Sequence, residues 1–166
     1  MDPVKPIYSH RPGDYECPFC LVVAGVDTPK IRTRQNDVVW RSELATAFIA
    51  TKWWPRNKGH VLVVPNAHFE NIFDLPPRYA ASIHQGARLL AYAMKDVYAC
   101  DGISTRQHNE PAGQQEVWHY HLHVYPRFAG DNLYADRGAD TDPEERAPYA
   151  AALREWLALN ADRYVD

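Results

Sequence analysis

Along residues 76–98 the apolar positions recur at helical spacing. Ile83, Ala87, Leu90, Met94 and Val97 fall on one stripe, which predicts a helix of about six turns. Pro76 and Pro77 stand at its start, where the missing N–H groups are not needed. Elsewhere the period is two. DVVWRS and ATAFIAT alternate as two strands hinged at Glu43 and Leu44, and HVLVVP reads as a third, buried on both faces and ended by Pro65. GISTRQH predicts a fourth strand, and WHYHLHVYPRF, residues 118–128, a fifth. CPFCLVVAG predicts a short helix stopped by Gly25. A last helix, over about residues 142–160, begins at an Asp-Pro and carries Leu153, Trp156 and Leu157 on one side. Strands in two groups around one long helix predict an α+β domain: an antiparallel sheet of about five strands, one long helix and shorter ones.

Composition narrows the class. The chain has 166 residues, 46% of them hydrophobic, enough for one compact core. A net charge of −3 gives no basic field, so neither nucleic acid as main ligand nor an anionic membrane surface is expected. The first residues lack the apolar stretch of a signal peptide, and no apolar run approaches the ~20 residues of a membrane helix. A soluble cytoplasmic protein is expected. Three cysteines are too few for a disulfide framework, which leaves Cys17-Pro-Phe-Cys20 to be explained on other grounds.

The candidate chemistry lies in the fifth strand. Tyr120, Leu122 and Val124 make one face apolar, and His119, His121 and His123 make the other entirely imidazole. Alternating imidazoles can cradle a zinc ion with one position open to water. They can equally supply a nucleophile and groups that hold its tautomer and handle protons. Arg127, after Pro126, is a candidate extra cation for an anionic substrate.

The run HYHLHVYPR, preceded by Asn109 and by Gln115-x-Val117, resembles the signature of the histidine triad (HIT) superfamily. GHVLVVPNAH, residues 59–68, is similar to a second segment of that family, and CPFC resembles the N-terminal Cys-x-x-Cys of its bacterial members. These motifs, in the family's order, span about residues 17–128. The resemblance implies a HIT-like α+β domain over residues 17–130, after an irregular arm over 1–16 and before a helical extension packed on it over 131–166. It also implies a homodimer, a small-molecule nucleotide substrate and no organic cofactor.

It further implies that His121 attacks the α-phosphorus of a nucleotide conjugate or dinucleoside polyphosphate, giving a covalent nucleotidyl-histidine. His123 would meet the leaving-group side, His119 would support the triad, and His60 would complete the constellation. Asn109 and Gln115 match positions that hydrogen-bond phosphate. In zinc-containing relatives the metal set corresponds to Cys17, Cys20, His68 and His119, a structural rather than a reacting ion.

Two positions depart from the pattern. Lys52 stands where relatives carry an Asp or Asn for the ribose hydroxyls, and a cation cannot accept those hydrogen bonds; it is a candidate phosphate contact instead. Glu116 stands where a Ser or Thr commonly donates to phosphate. Both leave room for a nucleotide-binding or scaffold protein with weak turnover, and the histidine face itself leaves room for a zinc hydrolase using all three triad rings. Trp53, Trp54 and Trp118 flank the motifs, suited to interface packing or to base stacking. His10, His84 and His108 are expected at the surface or in structural roles, Cys100 in packing, and TDPEERAPY as a solvated helix start.

Overall fold

A computed structural model describes residues 8–164. Along the chain run α1 (Pro18–Val23), β1 (Val38–Arg41), β2 (Ala45–Ile49), β3 (Lys52–Trp53), β4 (Val61–Pro65) and α2 (Pro77–Tyr98). There follow β5 (Gly102–Gln107), β6 (Leu122–Arg127), β7 (Ala139–Asp140) and α3 (Pro143–Asn160). The class is α+β as expected, with a five-stranded sheet in the order β1-β2-β4-β6-β5 and every pairing antiparallel. Residues 1–7 of the expected arm lie outside the described residues, and residues 8–16 form neither helix nor strand. Among the described residues, no helix is long and apolar enough to cross a membrane.

Alternation along the strands divides the core in two. Ala47, Ile49, Val61, Val63, Leu122 and Val124 face α2, where Ile83, Leu90 and Met94 meet them and Leu153 and Leu157 of α3 close the side. Phe48, Ala50, Leu62 and Val64 point to the other face, under Phe19, Val22 and Ile31. His121 and His123, interleaved with Leu122 and Val124, belong to that second face. The sheet therefore carries its structural helix on one side and its polar chemistry on the other.

The fifth strand is shorter than its alternation predicts. The ladder begins at Leu122, not at residue 118. Upstream of it the backbone turns to other partners: Tyr120 N–H donates to Phe69 O at 2.6 Å and Trp118 N–H to the Tyr15 hydroxyl at 3.1 Å. Alternation survives in the side chains while the β pairing does not.

No alternating run announces β3 and β7, which pair Lys52 with Asp140 and Trp53 with Ala139. This ribbon brings residues 131–140 back over the sheet, assisted by the Trp54 indole N–H, which donates to Asp136 O at 3.1 Å. Gly59, with φ +77°, precedes His60; a Cβ there would sit 2.4 Å from Tyr149 Cδ1 and 2.8 Å from the Tyr98 hydroxyl. Only glycine lets the chain take that conformation beside two tyrosines.

TDPEERAPY is not a wholly solvated helix start. Arg146 within it is fully buried and forks onto Asp37, Nε to Oδ1 and Nη2 to Oδ2, both at 2.9 Å. A spare donor on Nη2 meets Arg32 O at 2.9 Å. The partners lie 109 residues apart, so no local pattern announces the pair. Removing one half strands a buried charge, and Asp37→Ala is expected to destabilise the fold by about 3–5 kcal/mol. Asp37→Leu combined with Arg146→Met is expected to recover most of that loss in denaturant titrations, because no charge is then left unpaired. A single-variant loss below about 1 kcal/mol would contradict the assignment.

Candidate active site and metal centre

The sheet's second face opens into a cleft of about 570 Å³, within the range of small-molecule sites. His121 and His123 stand at its floor, with His60 from the start of β4 beside them. Across the strands Leu62, His123 and Arg106 sit in register on β4, β6 and β5. The transverse order is thus apolar, imidazole, guanidinium.

His121 is held in one tautomer. Its Nδ1 lies 2.8 Å from the backbone carbonyl of His119, which can only accept, so Nδ1 carries the proton. Nε2 is left with its lone pair, and the ring lines the cleft. Burial, ahead of the charged neighbours, lowers the pKa of His121 to about 4, so it is neutral at pH 7. Burial likewise brings His60 down to about 3, followed by the charge of Arg106. His123 is held well below the usual imidazole value by burial first and then by the adjoining rings and Arg106. His123 Nδ1 lies 3.4 Å from His60 Nε2 and 3.2 Å from the Tyr125 hydroxyl, while His60 Nδ1 is buried without a partner.

His119 turns away from this group. Its Nε2 donates to Pro65 O at 3.0 Å, which leaves Nδ1 unprotonated and directed at sulfur, 3.3 Å from Cys17 Sγ and 3.5 Å from Cys20 Sγ. His68 Nδ1 is 3.3 Å from Cys20 Sγ, and the four ligand atoms lie within 4.8 Å of one another. Tetrahedral zinc with thiolate and imidazole ligands needs S···N separations of roughly 3.5 Å, so this donor set fits the ion. A hydrogen bond from Cys20 pulls the Cys17 thiol toward thiolate, the form a metal takes. Among the described residues this is the one such cluster, and a zinc held by all three triad rings has no support in their geometry.

The other sequence candidates divide. Lys52 lines the cleft. Gln115 lines it too, but its amide is spent on backbone: Nε2 donates to Glu70 O at 2.6 Å and Val117 O at 3.0 Å, and Oε1 accepts from Glu110 N–H at 2.9 Å. It clamps the loop and has no donor left for phosphate. Asn109 is not brought to the cleft; its Oδ1 accepts from Ile72 N–H at 2.8 Å and its Nδ2 donates to Gln107 Oε1 at 2.6 Å. Arg127 is not brought there either, being tied to Asp131, Nε to Oδ2 at 2.8 Å and Nη2 to Oδ1 at 2.6 Å. Trp53 is buried in its own chain's core against Tyr149, whereas Trp54 and Trp118 line the cleft.

Arg106 is not among the sequence candidates, and His108 is not at the surface or in a purely structural place as expected. Arg106 and His108 both line the cleft, and the His108 ring centroid is 5.9 Å from that of His123. The signal was the period of two along GISTRQH, which puts positions 106 and 108 on one face beside the triad.

Comparison with known proteins agrees with this geometry. The HIT domain family matches residues 32–130. A HIT-like protein of Mycobacterium tuberculosis is 32% identical over 144 residues, covering 86% of this chain and 93% of its own. The crystal structure of a zinc-bound histidine triad family protein from Mycobacterium smegmatis superposes with a TM-score of 0.72 at 30% identity, covering 89% of this chain and 96% of that one. The adenosine 5'-monophosphoramidase of Saccharomyces cerevisiae is 27% identical over 114 residues, covering 69% of this chain and 64% of its own. The chain belongs to the HIT family.

Proposed function

We propose that the protein is a nucleotide hydrolase or nucleotidyl transferase that works through a covalent intermediate on His121. The observation that carries this reading is the 2.8 Å contact between His121 Nδ1 and the His119 carbonyl, which leaves Nε2 with the free lone pair that such an attack needs. The Nε2 lone pair attacks the α-phosphorus, and the bond from phosphorus to the leaving group breaks with its electron pair going to that group. The phosphorylated ring is cationic, and its Nδ1–H then donates to the His119 carbonyl more strongly than before. Water or another acceptor attacks the same phosphorus in a second displacement and frees Nε2. His123, next to the reacting ring, and His60 behind it are the groups suited to proton handling, because both are neutral at pH 7.

Zinc on Cys17, Cys20, His68 and His119 would serve structure alone, fixing the residue whose carbonyl fixes the nucleophile. The yeast relative's name supports a nucleotide conjugate as the substrate class. A second reading, binding with little turnover, is favoured by Glu116 in the cleft wall, where a carboxylate opposes phosphate.

The two readings separate in an acceptor-partition experiment with added methanol. A common intermediate gives the same ratio of nucleotide methyl ester to free nucleotide from conjugates with different leaving groups. A ratio that follows the leaving group contradicts the covalent route, and tight binding without either product favours the second reading.

A further inference from the structure

Two cations line the cleft without an ion-pair partner among the described residues, Lys52 and Arg106, and of these Arg106 has its charged group locked among aromatic rings beside the triad. Arg127 and Arg146 each fork onto a carboxylate, but Arg106 forms no ion pair among the described residues. Its guanidinium is packed among aromatic rings, 5.1 Å from the Tyr125 centroid, 5.5 Å from Trp54 and 5.7 Å from Tyr134. One Nη2 donor meets the Tyr125 hydroxyl at 2.8 Å, and the Nε donor is buried with no acceptor. A planar cation fixed by aromatic faces and poorly supplied with acceptors is organised to receive an anion with little further ordering.

Its place in the sheet says which part of a substrate it meets. Phe19, Ala50 and Leu62 make the β2–β4 end of the cleft apolar, suited to a nucleobase. His121, just before β6, and His123, on it, occupy the middle, and Arg106 lies beyond them on the β5 edge, in register with His123. A nucleotide with its base at the apolar end and its α-phosphorus at His121 extends its leaving group toward Arg106.

Resting on the nucleotidyl-transfer reading, we propose that Arg106 is the leaving-group subsite and selects nucleotide conjugates whose leaving group is itself an anion, a further phosphate or a sulfate, over neutral amines. The guanidinium offers two donors to oxygens on which charge builds as the bond from the α-phosphorus breaks, a benefit that a departing amine cannot use. Specificity of this kind appears in the ratio of substrates and not in stability.

Arg106→Met tests it, with Arg106→Lys as the charge-retaining control. Adenosine 5'-phosphosulfate and diadenosine tetraphosphate represent anionic leaving groups, and adenosine 5'-phosphoramidate the neutral one. For Arg106→Met, kcat/KM on the two anionic conjugates is expected to fall by about 100-fold or more, and on the phosphoramidate by less than about threefold. Arg106→Lys is expected to recover part of the loss on anionic conjugates alone. An equal fall on all three, or none on any, overturns the subsite. Inorganic pyrophosphate binding by calorimetry separates this inference from the reading beneath it. If the wild type cleaves none of the conjugates yet Arg106→Met weakens pyrophosphate binding tenfold or more, the hydrolase reading fails and the anion subsite stands. If the wild type cleaves them and Arg106→Met leaves pyrophosphate binding unchanged, the subsite fails and the hydrolase reading stands.

Discussion

Replacing His121 with alanine is expected to lower kcat/KM by about 10⁴-fold or more on every nucleotide conjugate the wild type cleaves, a loss of roughly 5 kcal/mol in transition-state stabilisation. The size follows from what the substitution removes. His121 is the ring whose tautomer is set by a backbone carbonyl and whose free nitrogen faces the cleft, so no neighbour inherits the role. His119 presents its unprotonated nitrogen to two sulfurs, and His123 Nδ1 is engaged with His60 and Tyr125. Without His121 the reaction must pass by direct attack of water, with only positioning and charge left to assist. Steady-state kinetics on a panel of conjugates checks this, with thermal unfolding run alongside because the ring is 6% exposed and packs against Phe19. Full turnover by a folded His121→Ala protein would remove the nucleophile from the account.

The second large effect concerns the metal centre. Cys17→Ser, Cys20→Ser and the double variant are each expected to lower zinc content from about one ion per chain toward zero. A bound ion present at ~1,000 times its Kd contributes roughly 4 kcal/mol, so its loss is expected to lower Tm by about 8–16 °C for a chain of this size. The cluster spans distant parts of the chain, α1 through Cys17 and Cys20, the segment after β4 through His68, and the approach to β6 through His119. Losing the ion releases all three from one another. Activity is expected to fall as well, because the residue whose carbonyl holds His121 then loses its metal tether and keeps only hydrogen bonds, Nε2 to Pro65 O and N–H to Val117 O. His123→Ala is expected to keep its zinc. Metal analysis checks both; zinc retained by the cysteine variants and lost from His123→Ala would move the ion to the triad.

Much of this fold is legible in the chain because its elements carry strong periods. The stripe from Ile83 to Val97 is a helix, Pro77–Tyr98, and HVLVVP is a strand buried on both faces. The alternation of His119, His121 and His123 predicts correctly that they follow one another on one side, but not that the ladder starts at Leu122. Period alone cannot show that Tyr120 N–H is taken by Phe69 O or that the His119 ring is turned toward two cysteines 99 and 102 positions away. Arg127 looks like a substrate cation until Asp131, in the loop beyond the motif, occupies it. Arg146 looks solvated until Asp37 is folded against it. In each case the deciding partner lies outside the segment that carries the pattern. Arg106 is the reverse: its spacing was readable, and what sets it apart is packing against Tyr125, Trp54 and Tyr134 with a buried Nε donor that meets no acceptor.

The central claim, a nucleotide carried on His121, is tested most directly by intact-protein mass spectrometry after rapid quenching at neutral to alkaline pH, where a phosphorylated imidazole survives. Wild type mixed with adenosine and guanosine conjugates is expected to show the mass of one added mononucleotide, identical for every leaving group joined to the same nucleoside. His121→Ala is expected to show none, and peptide mapping of the wild-type adduct is expected to place it on residue 121. An adduct that persists in His121→Ala, or one that maps to His123 or His60, would contradict the assignment.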